Sequence, residues 1–145
     1  MIGELSKTQI DHVLASQPVG RIGCHADGLT YVVPVAYAYD GDCIYAHSRA
    51  GLKIGMMRKN PSVCFQVDVI DGLASWRSVI LQGVFEELKT SVAQAQAFER
   101  LKERLSPLIT STAAMPVQPP PGEKKQRPVF FRIRITGRSG RYEKP

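Results

Sequence analysis

The sequence predicts a mainly β fold of the α+β class, a closed or split antiparallel barrel with short helices inserted at its ends. Three observations carry this. Asp27-Gly28 and Asp40-Gly41 punctuate runs of β-branched and aromatic residues, the pattern of tight hairpins whose turns need positive φ. Two later runs alternate between faces with a period of two, and the helical segments are few and short.

Ser6 suits the N-cap of a helix from Lys7 to Ser16 that presents Ile10, Val13 and Leu14 on one side and stops before Pro18. Strands follow from Val19 to His25, Thr30 to Tyr39 and Cys43 to Ser48. Pro34 removes a ladder donor from the middle of the second, which assigns that strand to an edge or a bulge and leaves backbone free for a ligand. A helix from Gly51 to Lys59 ends at Asn60-Pro61. In the strand from Ser62 to Ile70, Val63, Phe65, Val67 and Val69 oppose Cys64, Gln66 and Asp68. From Ser75 to Leu88, Trp76, Ser78, Ile80, Gln82 and Val84 oppose Arg77, Val79, Leu81 and Phe85. Val92, Ala95, Phe98, Leu101 and Leu105 share one side of a third helix, from Ser91 to Leu105. Prolines make residues 106–127 a loop. A last strand then sets Phe131, Ile133 and Ile135 against Phe130, Arg132 and Arg134.

The 145 residues make a single domain, 1–145, and a composition 43% hydrophobic and 22% charged is that of a chain that folds. No secretory leader or membrane span is visible, so a cytoplasmic protein is expected. Cys24, Cys43 and Cys64, odd in number and embedded in apolar runs, read as reduced core residues. His12, His25 and His47 are too scattered to predict a metal centre. The net charge is +6, and residues 123–145 hold eight Lys or Arg against two Glu, so the first 122 residues are neutral overall. A basic end can attract nucleic acid, with Phe130, Arg132 and Arg134 as the contact set, but a solvated strand and tail is the commoner meaning of such a run.

The informative junction is IYAHSRAGLKIGMMRKNP, Ile44 to Pro61, where a strand passes through Gly51 into a helix. A helix N-terminus presents unpaired N–H groups and partial positive charge, a seat for phosphate. Lys53 in its first turn opposes the helix dipole and is better placed if an anion is present. The alternative has Lys53 and Arg58 solvating the outer face while Leu52, Ile54 and Met57 pack inward. Ser48 stands where a hydroxyl can donate to a phosphate oxygen; His47, whose imidazole titrates near neutrality, is the one candidate for proton transfer.

The run VGRIGCHADGLTYVVPVAYAYDGDCIYAHSRAGLKIGMMRKNPSVCFQVD, then WRSVILQGVFEEL and the terminal VFFRIRITGRSGRYE, resembles the pyridoxamine 5′-phosphate oxidase-like split-barrel flavoproteins, in particular the branch related to nitroimidazole-resistance proteins. The resemblance implies a homodimer of six-stranded split barrels with FMN at the subunit interface, acting as an oxidoreductase on a small organic molecule. It implies that the backbone of Val32, Val33, Pro34 and Val35 lines the flavin ring. His47, Ser48, Arg49, Gly51 and Lys53 would gather around the phosphate, and Trp76, Arg77, Ser78 and Gln82 of the other subunit would close the pocket. Relatives of this barrel also hold haem or a deazaflavin, or keep the dimer with no cofactor. The chain departs from pyridoxamine phosphate oxidases at Val32 and Leu52, where they carry arginines. It also lacks their C-terminal Arg and His motif, which argues against pyridoxamine phosphate as substrate; Arg49 is the residue placed to compensate in part.

Overall fold

A computed structural model of the chain describes residues 1–108 and 128–145. In chain order the elements are β1 (Ile2–Glu4), α1 (Lys7–Ser16), β2 (Val19–Ala26), β3 (Leu29–Ala36), β4 (Ala38–Tyr39), β5 (Cys43–Ser48), α2 (Leu52–Lys59), β6 (Ser62–Gly72), β7 (Ser75–Glu87), α3 (Ser91–Leu105) and β8 (Val129–Glu143). All six strands expected from the sequence are present. Among the described residues they become eight, because the second breaks at Tyr37 and residues 2–4 add a short strand against the end of β8. Of the proline loop, Ser106–Leu108 form a short 3-10 turn, and the expectation for residues 109–127 lies outside the described residues.

Local chemistry fixes the ends of these elements. Ser6 Oγ accepts from the Gln9 amide at 3.2 Å and Gln9 Oε1 accepts from the Ser6 amide at 2.8 Å, a capping box that satisfies two orphan donors of α1. The β2–β3 turn places Asp27 at φ 52° and Gly28 at φ 78°, the left-handed pair that matches the twist of a two-residue hairpin. At the next turn Asp40 Oδ1 accepts from the amides of Asp42 and Cys43 at 2.9 and 2.7 Å.

The strands form one antiparallel sheet in the order β3-β2-β6-β7-β8-β5-β4. Its two ends are consecutive in the chain. Leu29–Ala36 pairs with β2, and after Tyr37 the next two residues pair with β5, so one run of chain passes from one side of the sheet to the other and the sheet wraps into a barrel. Pro34 sits opposite Arg21 on the edge strand β3, as its missing donor requires. Tyr37 is buried at this handover, its hydroxyl donating to Leu14 O at 2.6 Å and its amide to Pro18 O at 3.1 Å.

Ile22, Phe65, Val67, Val79, Leu81, Phe131 and Ile133 fill the interior, and Ile10, Val13 and Leu14 of α1 plug one end. Gly83 marks a bulge between β7 and β8, where a Cβ would lie 2.5 Å from Ile133 Cγ2 and 2.8 Å from Arg134 O. A second apolar cluster forms where α3 crosses β4 and β5, and here the sequence reading needs correction. Ala97, Leu101 and Leu105 are buried against Ala38, Cys43 and Tyr45, with Ala93 and Phe98 beside them, while Val92 is 67% exposed and Ala95 is exposed. Small residues on both surfaces let the helix approach closely, so the narrow stripe Ala93-Ala97-Leu101-Leu105 outcompetes the bulkier but wider one. No described helix is long and apolar enough to cross a membrane.

Candidate functional site

The geometry of interest begins where β3 and β5 diverge. Ala38 opposes Tyr45 and Tyr39 opposes Ile44, but no pairing joins β3 to β5 beyond these residues. Continuing that register would set Val35 against Ser48; instead β3 leaves to pair with β2. The barrel is therefore split, and the free edge of β3 around Val33–Val35 faces the end of β5 that carries His47 and Ser48. Alternate backbone groups of both edges are left for another partner.

Along β3 the side chains divide. Val32 is 65% exposed and Pro34 is exposed on the outer face, whereas Val33 and Val35 pack against the core. His47 lies opposite Phe130 with ring centroids 5.9 Å apart, and Ser48 Oγ donates to the Arg49 carbonyl at 3.0 Å. Arg49 is exposed. Gly51 is the N-cap of α2 and supplies no side-chain cap, so nothing from the cap residue occupies the amides at the start of the helix; the first helical bond runs from Gly55 N to Gly51 O at 3.1 Å.

Lys53 is the residue that distinguishes the two readings of this helix. Leu52 points out, Lys53 turns in and is partly buried, and Arg58 is the exposed one, paired with Glu87 at 2.7 Å. Burial holds the Lys53 ammonium below the usual lysine range, opposed by the nearby Cys24 thiol on β2. No carboxylate among the described residues pairs with Lys53. A desolvated cation without a counter-ion is costly, and the arrangement fits an anion held jointly by Lys53 and the α2 amides.

The outer face of the sheet continues this surface. Val32 stands beside Gly23, Gly23 beside Cys64 and Cys64 beside Gln82. Next to that row runs a polar mesh: Gln66 Nε2 donates to Asp68 Oδ2 at 2.9 Å and to Ser78 Oγ at 3.3 Å, and Arg21 lies 3.6 Å from Asp68. Arg21, Gln66 and Asp68 were not singled out from the sequence, although the period of two in β6 already put Gln66 and Asp68 on one face.

Trp76 and Arg77, expected to serve the other subunit's pocket, stand apart from Lys53 within one chain. They lie at the far end of β6 and β7, about 23 Å from the Lys53 end if β6 rises roughly 3.3 Å per residue between Val63 and Ile70. Trp76 shares the outer face with Ser78 and Gln82, but Arg77 faces the other way, and both border a separate cleft. The basic strand is also engaged: Phe130 is buried beneath α3, and Arg132 and Arg134 both reach Glu86, at 2.9 and 3.7 Å. The three cysteines are free, with Cys24 and Cys43 buried, and no metal-binding group of His, Cys, Asp or Glu occurs among the described residues.

Comparison with known proteins adds a second line of evidence. A protein of Mesorhizobium loti described as FAD-binding is 34% identical over 98% of both chains and superposes with a TM-score of 0.77. A candidate 5-nitroimidazole antibiotic resistance protein of Bacteroides thetaiotaomicron has the same fold, at 16% identity, a TM-score of 0.74 and coverage of 98% of this chain and 87% of that one. An uncharacterized protein of Rhizobium meliloti is 34% identical over 84 residues, 58% of this chain and 56% of its own, so the chain spans little more than half the length of that curated relative. The family model for pyridoxamine 5′-phosphate oxidase matches residues 6–142. With that match running from the cap of α1 to the end of β8 over a split antiparallel barrel, the chain belongs to the pyridoxamine 5′-phosphate oxidase family.

Proposed function

We propose that the protein binds a flavin nucleotide, FMN, and serves as an oxidoreductase toward a small organic substrate. The observation that carries this is the partly buried, uncompensated Lys53 at the uncapped start of α2. Its ammonium and the amides of the first turn would hold the 5′-phosphate, with Ser48 as a further donor if its hydroxyl turns from the Arg49 carbonyl to the phosphate, and Arg49 as an exposed cation at the rim. The free edge of β3 from Val32 to Val35, where Pro34 presents no N–H, would lie along the ring. When bound, the flavin supplies the electron chemistry, accepting or giving electron pairs; the protein contributes orientation, exclusion of water and hydrogen bonds. His47 is placed to move a substrate proton. Turnover unchanged by His47→Ala would remove it from that role.

A homodimer is part of this proposal. Within one chain Ser78 and Gln82 lie on the open outer face rather than over Lys53, and a second copy related by a two-fold axis would bring that face across the split. Val32, Pro34 and Ile80 are exposed on this face, Val32 at the end of the row that runs through Gly23 and Cys64, Pro34 and Ile80 at the two ends of the row through Arg21 and Gln66, and they suit such packing.

The FAD-binding Mesorhizobium relative favours a second reading in which the nucleotide is FAD. The visible absorption spectrum of the purified protein, followed by chromatography of what denaturation releases, tests both. A flavin spectrum with FMN released supports the proposal, FAD supports the second reading, and a haem or deazaflavin spectrum would replace it. Colourless protein that takes up neither flavin would overturn it.

A further inference from the structure

On the outer face of the sheet the bonds among Arg21, Gln66, Asp68 and Ser78 share one polarity. Gln66 pairs with Arg21 on β2 and with Ile80 on β7, and Asp68 pairs with Ser78, so the four side chains stand on one face and meet along its diagonals. Gln66 Nε2 donates to Asp68 Oδ2 at 2.9 Å and to Ser78 Oγ at 3.3 Å, while Arg21 Nη1 lies 3.6 Å from Asp68 Oδ1. Gln66, Asp68 and Ser78 are partly buried, and Ile80 beside them is 44% exposed.

A carboxylate only accepts, so Asp68 holds the Gln66 amide with its NH₂ toward it; turned over, the amide would set oxygen against oxygen. Both N–H groups of that amide are then used, one on Asp68 and one on Ser78. Ser78 Oγ, having accepted, keeps its own proton to donate, and no described residue takes it. Gln66 Oε1 likewise accepts from no described residue. The mesh thus leaves a fixed donor and a fixed acceptor side by side, and half-buried groups of this kind are satisfied by a ligand carrying the reverse pair.

We propose that Gln66, oriented by Asp68 and Arg21, is a recognition residue of the flavin pocket, and that it reads a carbonyl beside an N–H jointly with Ser78, the pattern carried by the pyrimidine ring of a flavin. Ser78 donates to the carbonyl, and Gln66 Oε1 accepts from the N–H. The inference rests on the flavin reading and on the homodimer, which carries this face to the other subunit's split. Ser78 is expected there by resemblance; Gln66, Asp68 and Arg21 are not, and they decide which way the Ser78 bond points.

The test titrates FMN and 3-methyl-FMN, in which a methyl replaces the hydrogen of that N–H, into the flavin-free protein and reads the ratio of their dissociation constants, in which a general loss of stability cancels. The parent should prefer FMN by about tenfold or more. Gln66→Leu, of similar volume, should bring the ratio close to one, whereas a purely steric penalty would survive that change. Ser78→Ala should weaken both flavins alike and keep the ratio, because the carbonyl it serves is present in both. Asp68→Asn, which lets the Gln66 amide turn either way, should give an intermediate ratio and tests the mesh even where Gln66→Leu does not fold. Lys53→Ala should lower both affinities and leave the ratio as it was. A parent that binds FMN and 3-methyl-FMN equally, a Gln66→Leu or Asp68→Asn protein that keeps the full preference, or a Ser78→Ala protein that binds both undiminished would each overturn this inference and leave the flavin reading standing. A parent that takes up neither flavin would overturn both.

Discussion

Leu52 and Lys53 are consecutive residues at the start of α2, and the apolar one is 55% exposed while the charged one turns inward beside Cys24. Hydrophobic burial alone would have reversed them. The inversion is best understood if the position of Lys53 serves a ligand that the chain itself does not supply.

It follows that binding of a flavin phosphate should depend on pH in a defined direction. Burial already holds the Lys53 pKa below its ordinary 10.5, and a bound phosphate would raise it again. Affinity should therefore be retained while Lys53 is protonated and fall as pH rises through its depressed pKa, sooner than an exposed lysine would allow. In the ligand-free protein the sign differs: the unfolded chain holds the proton more tightly, so the penalty of burying the charge is present at low pH and is relieved as pH rises through the folded pKa. Equilibrium titrations with FMN across the alkaline range check this, and a flat profile that Lys53→Ala does not alter would contradict it.

Tyr37 ties the handover between β3 and β4 to α1 through its 2.6 Å bond to Leu14 O. Burial pushes its phenol well above the ordinary tyrosine range, so it stays a donor throughout the physiological range. Tyr37→Phe keeps the ring and strands a buried carbonyl, which should cost about 1–3 kcal/mol. Urea unfolding reads this as a lower midpoint at unchanged slope; an unchanged midpoint would mean that water replaces the bond without loss.

Two glycines should respond to alanine with opposite signs. Gly83→Ala drives a methyl into Ile133 and the Arg134 carbonyl and should destabilise by about 1–3 kcal/mol. Gly55→Ala, inside α2 with nothing within 4 Å of the new methyl, should stabilise the ligand-free protein by roughly 0.5–1 kcal/mol. Thermal melts of the two variants beside the parent decide it, and shifts of the same sign would show the packing around one of them to be misjudged.

Much of the barrel is legible in the sequence because the relevant forces are local. Asp27-Gly28 writes its own turn, Ser6 and Gln9 their own cap, and the alternation from Val63 to Val69 its own buried face. Pro34 marks its strand as an edge for the same reason. The face of α3 is not legible in this way: the choice of Ala93 and Ala97 over Val92 and Ala95 depends on how closely Ala38 and Cys43 allow the helix to approach. Nor is the break at Tyr37, because it arises from one run of chain serving two partners. At the site, Gly51 and Lys53 are recognisable from the strand-to-helix junction, yet the separation of Arg77 and Trp76 from Lys53 emerges only when β6 and β7 are laid in register.

The central claim is that Lys53 and the first turn of α2 grip a phosphate, and the most direct measurement compares FMN with riboflavin, which lacks that phosphate, on the flavin-free protein and on Lys53→Ala. The account predicts that the parent binds FMN at least tenfold more tightly than riboflavin. It further predicts that Lys53→Ala weakens FMN by about 1–3 kcal/mol while leaving riboflavin nearly unchanged. Equal affinity of the parent for both flavins, or a Lys53→Ala protein that still prefers FMN by the same factor, would contradict it.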